Sequence, residues 1–173
     1  SGERVVLECV SGAPDAMPPA GSGMEIPPAL AAIHAANPPR LGPHIITGPV
    51  AVAGAEPGDC LRVDIERIDL GADWGFCGFR PLGGTLPEDF PYRRMMHIPL
   101  DRAAMTCRVP VGPGVTLALA PFFGVMGVAP PPEWGPVSTK EPRAHGGNLD
   151  NTELVAGSTL FLPVHVPGAN FSA

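Results

Sequence analysis

Arg143-Ala144-His145-Gly146-Gly147-Asn148-Leu149-Asp150-Asn151 is the densest polar run of this 173-residue chain. In it an imidazole, a carboxamide and a carboxylate surround two adjacent glycines. Glycine lets a backbone come close to a ligand and take positive φ. His and Asp are good ligands for a divalent metal, and Asn can orient a substrate carbonyl or amide. The same run also reads as a plain turn, with Asp150 or Asn151 capping the next segment. A second run, Gly42-Pro43-His44-Ile45-Ile46-Thr47-Gly48-Pro49, holds one His and one Thr between two Gly-Pro steps. Stiffness of that kind can fix His44 as a ligand imidazole, or simply leave it on the surface beside a strand start. His34, His97 and His165 sit in apolar or strand contexts and read as structural imidazoles satisfied by protein partners.

Other chemistries are excluded. There is no GxSxG elbow and no HExxH pair. The glycines at 12, 21 and 23 do not join a strand to a helix, so no phosphate loop forms. Ser138 and Lys140 are two apart and could share a strand face as a dyad, against surrounding prolines. Lys plus Arg number 11 against 17 Asp plus Glu, a net charge of −6. No basic stripe is available for nucleic acid. Cys9, Cys60, Cys77 and Cys107 form no CxxC pair, and three lie in apolar surroundings. They read as buried free thiols of a reducing compartment, and the expected location is the cytoplasm. Residues 109–132 carry no charge and are long enough for a membrane span. Six prolines and four glycines interrupt them, so no span is expected.

The elements that must position these residues are short. Gly (22) and Pro (24) exceed a quarter of the chain. They are interspersed among Val, Leu and Ile without a short repeat, which means many turns between buried segments. A Gly, two spacers and then alternating apolar residues recur at 1–7, 57–65, 113–119 and 156–162. Gly supplies the turn, and the period of two supplies a strand with one buried face. Further strands are expected at 45–53, 95–100 and 162–166. The one credible helix is Pro28–Ala36, started by Pro28 and stopped by Asn37-Pro38. Residues 14–27, 71–91 and 130–151 read as long irregular stretches. The fold class is mainly β, in sandwich or barrel pieces, as one β-rich domain over 1–173.

Taken together, the motifs resemble the acetamidase/formamidase family. The matching residues are Gly42-Pro43-His44 with Thr47-Gly48-Pro49-Val50, then Gly54-Ala55-Glu56-Pro57-Gly58-Asp59. They continue with Pro121-Phe122-Phe123-Gly124-Val125-Met126-Gly127-Val128-Ala129-Pro130 and His145-Gly146-Gly147-Asn148-Leu149-Asp150-Asn151. Gly157-Ser158-Thr159-Leu160-Phe161-Leu162-Pro163-Val164 completes the set, in the family's order. The resemblance implies hydrolysis of short amides such as formamide or acetamide to carboxylate and ammonia. It also implies a mainly β fold, a divalent metal (zinc) and oligomeric assembly.

Carried onto this chain, the resemblance makes His145, Asn148 and Asp150 the catalytic set. Thr47, Gly146 and Gly147 contact substrate, and His44 and Asp150 hold the metal. His145 is a ligand or proton shuttle, and Asn148 orients the amide. Small residues around Gly124 and Gly127 either shape a narrow pocket or pack strands closely. Family members are longer and continue into a Gly-Asp-x-His motif with further candidate ligands. The chain is therefore expected to work as part of a complete enzyme, to show little turnover alone, and to associate with itself or a complementary chain. The rival class is a non-catalytic β module that binds a partner or small ligand. A serine amidase using Ser138 and Lys140 is a second rival.

Overall fold

The computed structural model describes residues 2–38 and 41–173. The one α-helix among the described residues, α1 (Pro28–Ala36), opens on proline and closes on Asn37 in the left-handed region at φ 42°. The Asn37 N–H donates to Ile33 O at 3.1 Å and His34 O at 3.2 Å, satisfying the last carbonyls. Leu30 is the buried face of α1. His34 donates through Nε2 to Gly12 O at 3.0 Å, which anchors the helix to the N-terminal segment.

Among the described residues the strands pair antiparallel throughout and are divided among three small sheets. Two of the expected turn-then-strand units pair with one another as β1 (Cys60–Asp64) and β8 (Thr159–Pro163). Gly58 at φ 100° and Gly157 at φ 92° make the turns that feed them. Leu61 faces Leu162 and Val63 faces Leu160 across this ladder. A four-stranded sheet runs in the order β2 (Trp74–Phe79), β3 (Arg94–Asp101), β4 (Thr106–Val109), β5 (Val115–Ala118). The third sheet is β6 (Val125–Gly127) against β7 (Gly146–Asn148).

Residues 168–173 join the pieces. Phe171 exchanges backbone bonds with Val50 at 2.7 and 2.9 Å, and Ser172 exchanges bonds with Gly127 at 2.9 and 2.8 Å. Phe171 and Ala173 are thereby buried beside Met126, Val128, Leu162 and Val164 in the main core. That core lies directly beneath β6 and β7.

Several expectations are corrected. Residues 2–7 form no strand, and Ser1 lies outside the described residues. The strand expected at 45–53 shrinks to a single bridge, Val50 with Phe171. Pro49 has no N–H to give a ladder, and glycines at 48 and 54 bracket the segment. The stretches read as irregular at 71–91 and 130–151 contain β2 and β7, both too rich in glycine to signal a strand. β5 forms where expected, but neither of its faces is buried. Cys107 is buried, as a buried thiol should be, whereas Cys9, Cys60 and Cys77 are exposed. Apolar neighbours in sequence say nothing about what packs above a given strand face.

Candidate active site

The double glycine is required by the fold before any ligand is considered. Gly146 and Gly147 have φ of 91° and 101°, which L side chains rarely adopt. A Cβ on Gly146 would collide with Met126 O and lie 3.0 Å from Gly127 Cα. A Cβ on Gly127 would in turn lie 2.9 Å from His145 O. The close approach that these glycines permit is therefore between β6 and β7, and the room at Gly146 is filled by protein. Of the two readings for the small residues around Gly127, close strand packing is the one observed. At Gly147 the surroundings are looser: Pro142 Cα, at 3.6 Å, and His145 Nε2, at 3.5 Å, are ordinary contacts for an added carbon.

This packing fixes the polar residues at the ends of β7. His145 precedes it and is 8% exposed. Its Nδ1 is buried without a hydrogen-bond partner. Such an atom forfeits about 1–3 kcal/mol of solvation. Its ring stands edge-on to Trp134, with centroids 6.0 Å apart and planes at 84°. Burial, then the positive charge of Arg143 and the neighbouring His165, hold the His145 imidazole below its usual pKa of 6.5. His145 is thus neutral at pH 7. Against expectation, His165 is not a satisfied structural imidazole, since its buried Nε2 also lacks a partner. Its ring centroid is 6.3 Å from that of Trp134, and the Arg143 guanidinium sits over the same indole at 5.5 Å.

Asn148 closes β7. Its Nδ2 donates to Lys140 O at 3.3 Å, and no described residue donates to its Oδ1. Asp150 follows in the left-handed region at φ 46°, exposed, with its N–H on Gly124 O at 3.0 Å. His44 reaches the same neighbourhood through residues 139–140. Its Nδ1 donates to Thr139 O at 2.8 Å, and its backbone N–H reaches Thr139 Oγ1 at 3.3 Å. Thr47 is elsewhere: it is paired with Ala173 by bonds of 2.7 and 3.1 Å, and its Oγ1 donates to Glu8 O. The Ser138 hydroxyl accepts the Lys140 backbone N–H at 3.1 Å, a local turn.

The chain thus brings His145, Gly146, Gly147, Asn148 and Asp150 together by sequence, and His44 to them through Thr139. Sequence alone does not single out Trp134 and His165 as site residues, because their meeting with His145 depends on tertiary packing; Arg143 opens the polar run but receives no role from it. Among the described residues no three His, Cys, Asp or Glu side chains gather as a metal site. Three protein ligands are the ordinary minimum for a catalytic zinc. These residues do not by themselves fit a divalent-metal centre, and the pairing of His44 with Asp150 falls short of one.

The described strands pair antiparallel, and a buried imidazole, a carboxamide and a carboxylate flank or close the glycine-held strand β7. Residues 34–136 match the acetamidase/formamidase family, so the chain belongs to that family. It is 29% identical to the acetamidase of Mycolicibacterium smegmatis, with 75% of this chain and 46% of that protein aligned. The solved acetamidase of Bacillus halodurans is 35% identical with a TM-score of 0.66, over 73% of this chain and 41% of that one. The gamma lactamase of Delftia acidovorans is 29% identical with a TM-score of 0.65, over 75% and 44%. The chain spans between 44% and 46% of the length of the curated relatives it matches. No described helix is long and apolar enough to cross a membrane.

Proposed function

We propose that the protein hydrolyses short-chain amides of the formamide or acetamide type, consuming water and releasing carboxylate and ammonia. The observation that carries this reading is the arrangement on β7: a neutral imidazole before the strand and a carboxamide with an uncommitted oxygen at its end. Family membership agrees with it. Amide hydrolysis needs a base for water, an orienting group for the amide and a proton for the leaving nitrogen. His145, held neutral at pH 7 by burial and by Arg143, takes the proton from water and returns it to the departing ammonia. Asn148 Oδ1 accepts from the substrate N–H, its own Nδ2 being tied to Lys140 O. Asp150 supplies negative charge at the mouth of the site.

Zinc belongs to this proposal only with donors from outside the described residues, and no step above is routed through it. Homo-oligomeric assembly also belongs to it. So does a cytoplasmic location, which the exposed free thiols of Cys9, Cys60 and Cys77 support.

Ammonia release from formamide, acetamide and a γ-lactam by the full-length protein is the test, with His145→Ala and Asn148→Ala beside it. Turnover that falls in both variants supports the reading. Turnover untouched by both would overturn the site. Amide binding without hydrolysis would favour a binding module.

A further inference from the structure

Asn148 can orient an amide only if its own carboxamide is held one way round. That group offers two donors at nitrogen and an acceptor at oxygen, and it turns freely unless one end is tied. The tie here is the Lys140 carbonyl, which accepts from Nδ2 at 3.3 Å and can pair with that end alone. Whatever fixes the backbone at Lys140 therefore fixes the direction of Asn148 Oδ1.

The chain brings Lys140 to Asn148 by folding back beside β7. Arg143 and Gly146 exchange two backbone bonds of 2.9 Å and close a turn at 144–145. Glu141 and Pro142 then run past Gly147, where an added carbon would lie 3.6 Å from Pro142 Cα and 3.7 Å from Glu141 O. Two hydroxyls hold the other end of this segment. Ser138 Oγ accepts the Lys140 backbone N–H at 3.1 Å and closes a turn around Thr139. Thr139 grips the Gly42-Pro43-His44 run. Its Oγ1 accepts the His44 backbone N–H at 3.3 Å and lies 3.2 Å from His44 Nδ1, which donates to Thr139 O at 2.8 Å. Gly42 permits this approach, since an added carbon there would lie 2.7 Å from Thr139 N and collide with the Thr139 hydroxyl. Pro43 restricts the backbone between the two contacts. A loop 95 residues away in the chain thus bears on the residue next to the one that ties Asn148.

We propose, resting on the substrate-orienting role of Asn148, that Thr139 is a positioning residue for amide hydrolysis. It clamps the Ser138–Lys140 turn against residues 42–44, so that the Lys140 carbonyl keeps Asn148 Nδ2 and leaves Oδ1 to the substrate N–H. Thr139 touches no substrate atom and acts through Lys140. Ser138 and Lys140, two residues apart, serve as the turn and not as a nucleophile and its base.

The test uses the full-length protein labelled with nitrogen-15 at asparagine. Loss of a signal in Asn148→Asp assigns the Asn148 side-chain amide, and its hydrogen exchange is followed without substrate. Thr139→Val keeps the side-chain shape and removes the hydroxyl. Exchange at Asn148 Nδ2 should then rise about 5-fold, the loss of one hydrogen bond of ordinary strength. The kcat/KM for formamide should fall about 10-fold, as misplacement of an orienting group does. Thr139→Ser retains the hydroxyl and should restore both. Ser138→Ala should move both in the direction of Thr139→Val, and it carries the test if Thr139→Val fails to fold. In an Asn148→Ala background Thr139→Val should cost less than about 2-fold in kcat/KM, because groups that act as a unit are not additive. A clamp that only stabilised the fold would cost the same in both backgrounds. Unchanged Asn148 exchange in every folded variant, or additive losses of turnover, would overturn the proposal. A wild type that hydrolyses no short amide would overturn the role of Asn148 instead, and the exchange rates would still decide whether Thr139 holds its carboxamide.

Discussion

The β6–β7 sheet and the β2–β5 sheet are both antiparallel and both contain glycine, yet they differ in the room around it: Gly78 of β2 also meets backbone, 2.8 Å from Arg94 O, but Gly75 in the same strand is open. At Gly127 and Gly146 an added carbon would meet backbone at once, and Met126 beside them is 1% exposed. At Gly75 in β2 an added carbon would meet nothing within 4 Å. Every residue of β5 is exposed. The closely packed sheet sits on the main core and holds the polar residues of the site. The open sheet holds no site residue and carries uncovered apolar side chains, among them Phe76, Val115 and Leu117. Close packing is concentrated where the His145 Nδ1 is held without a hydrogen bond, and exposed apolar surface is concentrated in the other sheet.

The sharpest way to break this contrast is to add one methyl group to each sheet. Gly146→Ala forces a side chain into positive φ and into the backbone of β6. We expect it to cost about 3 kcal/mol or more, the range of strain plus overpacking. Gly75→Ala should lie within about 1 kcal/mol of wild type and on the stabilising side, since it only restricts the unfolded chain. Urea unfolding of the two variants decides it, and equal losses would erase the distinction.

Within the packed sheet, Asn148→Ala and Asp150→Ala separate chemistry from folding. Each should lower kcat/KM by about 10²-fold, as loss of an orienting or electrostatic group commonly does. Urea midpoints should stay near wild type. A turn-forming role alone would show the reverse, a lower midpoint with turnover per folded molecule unchanged.

A smaller effect distinguishes the region by pH. The folded chain holds the His145 proton less tightly than the unfolded chain, because burial and Arg143 disfavour the cation. Stability from this source is therefore complete above about pH 6.5. It declines as pH falls through that value, and levels off once His145 is protonated in the fold as well. NMR titration should place the His145 midpoint below 6.5, and Arg143→Gln should raise it. A midpoint at or above the ordinary value would remove the electrostatic part of the site's description.

The smallest effects belong to the exposed ion pairs. Arg93 bonds Asp15 at 2.9 Å with both side chains more than half exposed, and Arg4 with Glu66 is similar. Asp15→Ala and Glu66→Ala should each change stability by about 0.5 kcal/mol or less, and less still in high salt. A loss several times larger would mean that these pairs, and not the core under β6 and β7, tie the N-terminal segment down.

What the amino-acid sequence determined by itself was local. Proline and asparagine at the two ends of α1 set its bounds, because caps act within one helical turn. Glycine turns with apolar residues at alternate positions located β1, β5 and β8, because turn geometry and side-chain alternation are properties of a few neighbouring residues. The motif run at 143–151 and its family were legible for the same reason. Tertiary structure alone decided what lies across from each of these. β6 and β7 are too short and glycine-rich to signal themselves, and β2 is interrupted by Gly75 and Gly78; in each case a partner strand completes the hydrogen bonds. His165 reaches Trp134 and His145 across 20 residues or more, and His44 reaches Thr139 across 95. Whether a cysteine or a leucine on a strand is buried depends on which segment covers that face, and no spacing along the chain encodes it. Local rules name the strands and their candidate chemistry; only long-range contacts assign the cover, and with it the burial that keeps His145 neutral and leaves β5 bare.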